Sequence, residues 1–334
     1  MKTWYTTIGN ERGSKGVAQM GGRNKPLIVV IVGPTAVGKS EIGITLAQQF
    51  DGEIISGDSM QIYRGLDIGT AKVSPKERRI VPHHLIDLLN PSESYSAAAF
   101  KEDAKRLILE LTSRGKLPFI VGGTGFYIRG LTRDLDFHET PQNPTYRKQL
   151  EAEAKKYGPR YLHDQLKKYD PKTAAKIHPN NVKKMIRTLE IFKETNHHRD
   201  FEAQQEKESP YEVVMIGLTM VREKLYQRIN ERVDQMVAKG LIAEAKMLYD
   251  NYPATAQAAQ AIGYKEFFPY FRGEISKEKA IDTVKRNSRR YAKRQLTWFR
   301  NKENVEWFDI SQEKQKKIQE MIRRIEGKIA SSSN

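Results

Sequence analysis

A glycine-rich loop between an apolar run and a helical pattern constrains this 334-residue chain more than any other feature. The loop reads Gly33-Pro34-Thr35-Ala36-Val37-Gly38-Lys39-Ser40 and fits the pattern G-x-x-x-x-G-K-[ST]. The six apolar residues 27–32 before it predict a buried strand, and residues 39–50 after it predict a helix. A strand, a glycine loop and a helix in this order predict a phosphate-binding P-loop rather than an accidental glycine turn.

The chemistry expected of this loop is the capture of a polyphosphate. Backbone N–H groups of such a loop and of the following helix N-terminus converge on phosphate oxygens. Lys39 adds a positive charge, and the hydroxyl of Ser40 is a candidate ligand for Mg²⁺. The residues that we expect to bind the phosphates are Gly33, Thr35, Ala36, Val37, Gly38, Lys39 and Ser40.

The first part of the chain alternates continuous apolar runs with helical patterns. Runs of this kind, bounded by glycine or proline, are typical of a parallel sheet that is covered on both faces. The predicted strands are 27–32, 53–57 and 117–121, and the predicted helices are 39–50, 95–114 and 125–131. The fold class is therefore α/β, a P-loop doubly wound parallel sheet whose ligands bind at the carboxyl ends of the strands.

The pattern changes in the middle of the chain, where prolines separate short, highly charged helical stretches without strands. We predict a small inserted helical domain at residues 139–209, and a core formed by residues 26–138 together with 210–330. Residues 1–25 are polar and glycine-rich, and we expect a mobile N-terminal extension. In the second half of the core the predictions are a strand at 211–218, helices at 222–238, 241–250 and 276–300, a short strand at 304–308 and an exposed helix at 311–328.

The charge balance and the cysteine count limit the possible functions. Lys and Arg number 57 against 41 Asp and Glu, so the formal net charge is +16, which favours a polyanionic partner but is also compatible with a merely soluble basic protein. No cysteine is present, which excludes disulfides, cysteine-ligated zinc and thiol catalysis and fits a cytoplasmic location. No apolar run approaches the ~18 residues that would predict a membrane span.

Two further segments follow predicted strands and should lie at the same sheet edge as the P-loop. Asp58 comes directly after the strand 53–57, and its carboxylate could bind a metal, serve as a general base or only cap a helix. Gly122-Gly123-Thr124-Gly125 follows the strand 117–121, and Thr124 could donate to a ligand or serve as a helix N-cap. The chain lacks the Asn-Lys-x-Asp motif of GTPases, and no acidic residue ends the strand 117–121, so a nucleotide switch or motor is not indicated.

A predicted helix near the C-terminus is strongly basic. Over residues 285–300 it carries Lys285, Arg286, Arg289, Arg290, Lys293, Arg294 and Arg300 and no acidic residue. A face of one sign favours a nucleic-acid backbone as partner, the alternative being a solvated helix face. Lys183, Lys184 and Arg187 form a second basic surface in the inserted domain. The adjacent pairs His83-His84 and His197-His198 do not have the spacing of metal ligands.

Together these segments resemble the tRNA dimethylallyltransferase family, also called tRNA isopentenyltransferases, in unbroken order from about residue 27 to 310. The P-loop alone is common to many proteins, whereas the joined motifs are specific to the family. They are residues 33–40, Asp58-Ser59-Met60-Gln61-Ile62-Tyr63, Asp67-Ile68-Gly69-Thr70-Ala71-Lys72, Gly122-Gly123-Thr124-Gly125, His178-Pro179-Asn180, Ala261-Ile262-Gly263-Tyr264 and Tyr291-Ala292-Lys293-Arg294-Gln295.

The resemblance implies transfer of a dimethylallyl group from dimethylallyl diphosphate to the exocyclic amine of the adenosine 3′ to the anticodon of tRNA. It implies that Asp58 is the general base, that Thr124 and Arg222 bracket the diphosphate, and that Mg²⁺ accompanies the donor. It also implies that the inserted domain grips the anticodon stem-loop, and we assign Ser59, Met60 and Gln61 to the tRNA site together with the two basic surfaces. We expect a monomer. The zinc finger found in some eukaryotic members is absent.

Two other functions remain as alternatives. A P-loop small-molecule kinase of the nucleotide type would share the core and use the inserted domain as a lid, but would not require the basic helix. A non-catalytic RNA-binding ATPase would not need Asp58 as a base.

Overall fold

A parallel sheet of six strands forms the centre of the molecule, which is described by a computed structural model over residues 25–135, 137, 143–195 and 208–332. Neighbouring strands pair in parallel, and their order across the sheet is β3-β2-β4-β1-β5-β6. The strands are β1 (Leu27–Val32), β2 (Glu53–Ser56), β3 (His83–His84), β4 (Pro118–Val121), β5 (Glu212–Thr219) and β6 (Glu306–Asp309). The α/β class and the doubly wound parallel sheet predicted from the sequence are confirmed.

Helices connect these strands and cover both faces of the sheet. In the first part of the core they are α1 (Lys39–Gln49), α2 (Pro75–Ile80), α3 (Ala97–Ser113) and α4 (Gly125–Thr132). The middle of the chain contains α5 (Pro144–Tyr157), α6 (Pro159–Tyr169), α7 (Pro171–Lys176) and α8 (Val182–Thr195). After β5 come α9 (Arg222–Ala238), α10 (Leu241–Asn251), α11 (Phe268–Phe271), α12 (Lys277–Lys302) and α13 (Lys314–Ser332).

The apolar run of β1 is continuous because both faces of this strand are buried. Ile28 and Val30 face a core cluster that includes residues of α3, α4, α10 and α12, whereas Val29 and Ile31 face a second cluster with residues of α1 and α13. All four side chains have no exposed surface. Successive residues of a strand point to opposite faces, so a central strand between two helical layers needs apolar residues at every position.

Helices α5 to α8 have a hydrophobic cluster of their own, formed by residues such as Leu150, Leu162, Leu166, Met185 and Leu189. The prolines of this region begin helices rather than interrupt them. Pro144, Pro159 and Pro171 each lie at the first turn of a helix, where the missing N–H would have no intrahelical partner. The pattern that predicted short helical stretches thus marked their starts.

The prediction of an exposed C-terminal helix was wrong. One face of α13 is buried, with Ile318, Met321, Ile322 and Ile325 packing into the cluster on the α1 side of the sheet. The high charge of the sequence concealed this amphipathic pattern. Helix α2 and the short strand β3 were not predicted. The predictions made for residues 1–24, Pro141, His197 and His198 concern positions outside the described residues. Within the described part of the chain, no helix is long and apolar enough to cross a bilayer.

Candidate active site

A cavity of about 650 Å³ opens at the carboxyl edge of the sheet. It lies where the P-loop, the ends of β2 and β4, and helices α9 and α12 meet. Its lining includes Thr35, Ala36, Gly38, Lys39, Ser40, Asp58, Gln61, Thr70, Ala71, Val121, Gly122, Arg228, Arg232, Tyr291 and Gln295. The volume is typical of small-molecule binding sites. Of the predicted phosphate-binding residues, Thr35, Ala36, Gly38, Lys39 and Ser40 therefore share one cavity with Asp58, whereas Gly33 and Val37 are not part of its lining.

The P-loop follows β1 with a backbone that depends on its glycines. Gly38 has a φ of +107° immediately before α1, a conformation that residues with a Cβ adopt only under strain. At Gly33 a Cβ atom would lie 2.6 Å from the carbonyl oxygen of Leu218 on β5. Lys39 folds back over the loop and donates from Nζ to the carbonyl oxygens of Gly33 (3.0 Å) and Pro34 (2.8 Å). The P-loop thus holds the ammonium of Lys39 within the expected phosphate-binding site.

Three charged groups interact inside the cavity. Burial lowers the pKa of Lys39 from its ordinary value of 10.5 to about 8, the negative charge of Asp58 opposes this shift, and the neighbouring Arg232 adds to it. Burial also lowers the pKa of Arg232, again against the influence of Asp58. The lining also carries Arg228 and the carboxylates of Glu41, Glu77 and Glu231, so the cavity contains charges of both signs. Lys39 and Arg232 repel each other, and an anionic ligand bound between these two cations would reduce their repulsion.

Asp58 lies two residues after the end of β2, at the start of the loop that leads to α2, and is half-buried. Its Oδ1 atom accepts a hydrogen bond from the backbone N–H of Met60 at 2.9 Å, which closes a turn rather than capping a helix. A carboxylate has further acceptor sites on its two oxygens, so one hydrogen bond leaves room for a second partner. Of the three roles that the sequence left open for Asp58, this geometry excludes helix capping. The roles of general base and metal ligand remain.

Thr124 connects the second glycine loop to the Asp58 loop. Its hydroxyl oxygen accepts from the backbone N–H of Ser59 at 3.1 Å, and it makes no N-cap hydrogen bond to α4. The side chain of Tyr291 on α12 also hydrogen-bonds to Thr124, and burial together with the charge of Asp58 raises the pKa of this phenol. Tyr291 is therefore a neutral hydrogen-bonding group beside the carboxylate.

Arg222 is exposed at the start of α9, where its guanidinium lies 5.1 Å from the centre of the Tyr226 ring, and it is not among the residues that line the cavity. Its role beside the diphosphate stays a prediction. Arg228 and Arg232, further along the same helix, do line the cavity. They are four residues apart, so α9 presents both on one face. Helix α9 thus offers two further guanidinium groups, at positions that sequence analysis missed.

A loop between β2 and α2 forms the wall of the cavity opposite α9. Gln61 donates from Nε2 to the carbonyl oxygen of Thr70 (3.3 Å) and accepts from the hydroxyl of Ser56 (3.0 Å). The carboxylate of Glu244 on α10 accepts from the backbone N–H groups of residues 67–69 at 2.8–3.2 Å. Lys72, with 1% of its side chain exposed, pairs with Asp67 and Asp87 at 2.6 Å. This wall is held by ionic anchors rather than by regular secondary structure.

The basic helix α12 presents only part of its charge to solvent. Arg286, Arg290, Lys293 and Arg294 are exposed. Lys285 instead pairs with Asp234 at 2.7 Å, and Arg289 donates to the side chain of Asn230 at 2.5 Å, so these two cations hold α12 against α9. In the helical segment, Lys183 and Lys184 are exposed, while Arg187 is half-buried and lies 3.6 Å from the fully buried carboxylate of Glu190.

No cluster of three or more histidine and carboxylate side chains that could hold a metal occurs among the described residues. The hydroxyl of Ser40, which lines the cavity at the start of α1, is the oxygen ligand that the motif predicted. Mg²⁺ is commonly held by one or two protein groups together with substrate phosphates and water. The residues present therefore fit a metal that arrives with a phosphorylated ligand, and do not fit a site built from protein alone.

Arg228 and Arg232 line the cavity but were not identified by sequence analysis, and Tyr291 and Gln295 were named only as members of the family motif at residues 291–295. One signal could have found them. The pairs Arg228/Arg232 and Tyr291/Gln295 each have the four-residue spacing that places two side chains on one helix face. A face that contains arginine, tyrosine or glutamine inside an otherwise apolar stripe indicates a buried polar contact.

This chain is similar to known proteins over most of its length. A sequence model described as IPP transferase matches residues 61–302, so the match begins at Gln61, beyond the P-loop. A curated tRNA dimethylallyltransferase from Halalkalibacterium halodurans is 54% identical over 312 residues, which cover 92% of this chain and 99% of that protein.

Two solved structures are also similar. The full-length tRNA isopentenylpyrophosphate transferase from Bacillus halodurans superposes with a TM-score of 0.71 at 54% identity, covering 93% of this chain and 98% of the other. A eukaryotic dimethylallyltransferase, described as acting on tRNA, gives a TM-score of 0.73 at 31% identity, with 86% of this chain and 74% of the other covered.

Proposed function

The chain belongs to the IPP transferase family, and from that premise we propose that it transfers a dimethylallyl group from dimethylallyl diphosphate to the exocyclic amine of the adenosine 3′ to the anticodon in tRNA. It is a transferase that modifies tRNA. The observation that carries the proposal is the single cavity in which Lys39, Asp58 and Arg232 meet beside the basic helix α12. An anion site, a base and an RNA-binding face are the three parts that this reaction needs.

The diphosphate occupies the P-loop end of the cavity in this proposal. Backbone N–H groups at the start of α1, the ammonium of Lys39 and the guanidinium groups of Arg228 and Arg232 bind its oxygens. Negative charge grows on the bridging oxygen as the bond to the allylic carbon breaks. Groups that already point at this position stabilise the transition state more than the ground state. The guanidinium role that the family resemblance suggested for Arg222 passes to Arg232.

Asp58 acts as the general base. The exocyclic amine of adenine is a poor nucleophile because its lone pair is delocalised into the ring. A carboxylate that accepts the proton as the N–C bond forms raises its reactivity. The Met60 N–H and the Thr124–Ser59 contact fix the loop that carries this carboxylate. In this step the amine nitrogen forms a bond to the allylic carbon, the bond from that carbon to the diphosphate oxygen breaks, and the amine proton goes to Asp58.

Ser40 would hold Mg²⁺ together with the donor's diphosphate oxygens. When bound, the metal supplies positive charge to the leaving group. We also propose that the exposed lysines of α8 and the exposed cations of α12 bind the anticodon stem-loop, and that Ser59, Met60 and Gln61 contact the tRNA. An anticodon-loop purine can be unstacked and presented to a pocket. We further propose that the protein is a monomer and works in the cytoplasm.

Nucleoside mass spectrometry tests the proposal directly. Unmodified tRNA is incubated with the protein and dimethylallyl diphosphate, digested and analysed, and an adenosine increased in mass by one dimethylallyl group is expected at the position 3′ to the anticodon. Protein without donor is the control. A parallel reaction with ATP and no tRNA tests the small-molecule kinase alternative, which the comparisons do not favour. Absence of the modified nucleoside at saturating donor would contradict the proposed function.

A further inference from the structure

Gln295 bridges the two glycine loops of the active site. This side chain is 6% exposed and lies on the buried side of α12. Its Oε1 atom accepts from the backbone N–H of Thr35 in the P-loop at 2.8 Å, and its Nε2 atom donates to the carbonyl oxygen of Gly123 at 3.0 Å. One amide thus satisfies a donor on one loop and an acceptor on the other, as a side chain with both an N–H donor and a carbonyl acceptor can.

The contact is tight because Gly123 has no side chain. A Cβ atom built on Gly123 would lie 2.1 Å from Nε2 of Gln295. The neighbouring Gly122 approaches the Asp58 loop in the same way, since its Cβ would lie 2.2 Å from the carbonyl oxygen of Gly57. Thr124 then donates its backbone N–H to Gly57 at 3.2 Å. A continuous path therefore runs from the P-loop through Gln295 and the second glycine loop to the loop that carries Asp58.

The solvent-facing side of the same helix carries exposed cations. Arg294 is adjacent to Gln295 in sequence, is exposed, and places its guanidinium 5.7 Å from the centre of the Tyr291 ring. Tyr291 in turn interacts with Thr124 and with Gln295. The exposed cations of α12 and the side chains that contact both glycine loops therefore belong to one stretch of helix.

We propose that Gln295 is a positioning residue that couples tRNA binding on α12 to the geometry of the diphosphate site. The inference rests on the proposed function and adds to it. With tRNA bound, α12 is held at one distance from the sheet edge, and Gln295 then sets the P-loop and the Asp58 loop at the separation that the reaction requires. Gln295 contacts neither substrate and acts through its hydrogen bonds to Thr35 and Gly123.

The test measures binding coupling, which simple loss of a core contact would not abolish. The dissociation constant of inorganic pyrophosphate is measured by calorimetry with and without unmodified tRNA, so that no turnover occurs. For the unaltered protein we expect tRNA to change pyrophosphate affinity by at least about fivefold, and pyrophosphate to change tRNA affinity by the same factor. Single-turnover transfer rates are measured on the same samples.

Two variants reach the same contact from opposite sides. Gln295→Ala removes both hydrogen bonds, and Gly123→Ala leaves Gln295 in place but pushes its amide away. Both should reduce the coupling factor to within twofold of unity and slow single-turnover transfer by about tenfold or more, with tRNA affinity alone changed by less than about threefold. Phe299→Leu is the control, because Phe299 is fully buried on the same helix and makes none of these loop contacts.

Three results would overturn the inference: full coupling in both variants, no coupling in the unaltered protein, or an equal loss of coupling in Phe299→Leu. Should Gln295→Ala fail to fold, as judged by thermal unfolding, Gly123→Ala alone decides. Failure of the proposed function would look different, since the unaltered protein would then make no modified nucleoside. A protein that transfers normally but whose variants keep full coupling contradicts only the role of Gln295.

Discussion

Lys39, Asp58 and Arg232 show how single residues define the chemistry of this cavity. The ammonium of Lys39 donates to two carbonyl oxygens of its own loop. A diphosphate would compete for the same ammonium, and its negative charge would offset the repulsion between Lys39 and Arg232. Binding of the anion would therefore exchange the loop contacts of Lys39 for contacts between the diphosphate and two cations.

The affinity for dimethylallyl diphosphate should decline above pH 8. Burial first, and Arg232 second, lower the pKa of Lys39 to about 8, so its charge is present below that pH and is lost as the pH rises through it. The charged form binds the anion more tightly than the neutral form, so affinity should fall by up to about tenfold per pH unit above pH 8 until the pKa of Lys39 in the complex is reached. Calorimetry between pH 7 and 10 measures this.

Lys39→Met is the matched variant, since it keeps the length of the side chain without the charge. It should bind the diphosphate weakly at every pH and should lose that decline. Turnover should drop by about 10²–10³, because one donor to the leaving group is lost. If this variant keeps the wild-type turnover, or retains the pH dependence, the phosphate-binding role of Lys39 is wrong.

Asp58→Asn should separate binding from chemistry. The amide keeps an oxygen that can accept from Met60, so the turn is preserved, but it cannot take a proton. Diphosphate affinity should change little, and single-turnover transfer should fall by about 10²–10⁴, the usual contribution of a general base. Rates are measured by quenched single-turnover assay with tRNA in excess. An unchanged rate would show that the base lies elsewhere and that Asp58 only closes its turn.

A comparison of Arg232→Gln with Arg222→Gln tests which guanidinium on α9 serves the diphosphate. Arg232 lines the cavity, whereas Arg222 lies at the helix start over Tyr226. Loss of a charged hydrogen-bond donor should weaken pyrophosphate binding by about tenfold or more in Arg232→Gln and by less than twofold in Arg222→Gln. The two variants control each other, and the reverse order of effects would restore the assignment that the family resemblance suggested.

At the scale of residues, the sequence was informative where the chemistry is local. Lys39 and Ser40 lie within one motif, and Asp58 directly follows a predicted strand, so position along the chain implied position at the sheet edge. Arg232 and Gln295 reach the cavity from helices more than 170 residues further along the chain. Nothing in their immediate neighbours indicates which helix face will meet the P-loop, because that depends on how α9 and α12 pack.

Helix α12 shows why the charge pattern of a helix does not tell which of its charged side chains are exposed to solvent. The sequence marks seven cations between residues 285 and 300. The structure divides them: Lys285 and Arg289 bind α9, while Arg286, Arg290, Lys293, Arg294 and Arg300 are exposed. The opposite error occurred at α13, whose charged sequence predicted exposure although four apolar residues are buried. Both errors arise because partners on other elements decide which face of a helix is covered.

Charge reversal on the exposed part of α12 should weaken tRNA binding selectively. In the double variant Arg290→Glu and Lys293→Glu, each lost phosphate contact should lower the slope of log affinity against log salt by about 0.9 for a duplex. Diphosphate affinity should remain unchanged. Binding of tRNA is followed by filter or fluorescence titration at several salt concentrations.

The matched control for this variant is Lys316→Glu with Arg323→Glu on α13, which makes the same change in net charge at exposed positions. Its salt slope should stay within experimental scatter of the unaltered protein. Equal effects of the two double variants would mean that total charge, and not the α12 face, attracts the RNA. An unaltered slope in the α12 variant would mean that this face is only solvated.

At the scale of the whole molecule, the helical segment between β4 and β5 can be separated from the core by its packing. Helices α5 to α8 bury their apolar residues among themselves, and the fully buried Glu190 binds Arg147 through both carboxylate oxygens, at 3.0 and 2.5 Å. The core closes independently, because β5 pairs with β1 along six residue positions on the other side of the insertion. A sequence without strands between two strand patterns was sufficient to suggest this division.

Replacing residues 141–208 by a short Gly/Ser linker should therefore leave a folded core that still binds dimethylallyl diphosphate. Every residue that lines the cavity lies outside this range. The exposed Lys183 and Lys184 are removed with it, so the tRNA dissociation constant should rise by about tenfold or more and transfer should stop. Calorimetry with both ligands on the shortened protein, preceded by a thermal unfolding curve, measures these effects.

A point variant separates the loss of RNA contacts from the loss of the domain. Lys183→Glu with Lys184→Glu changes only exposed side chains on α8, so it should fold normally and weaken tRNA binding in the same direction as the deletion. If the shortened protein keeps normal tRNA affinity, the segment does not clamp RNA. If the deletion weakens binding but the point variant does not, the segment contacts tRNA through another face. An unfolded core would show that β5 needs the insertion to find its place beside β1.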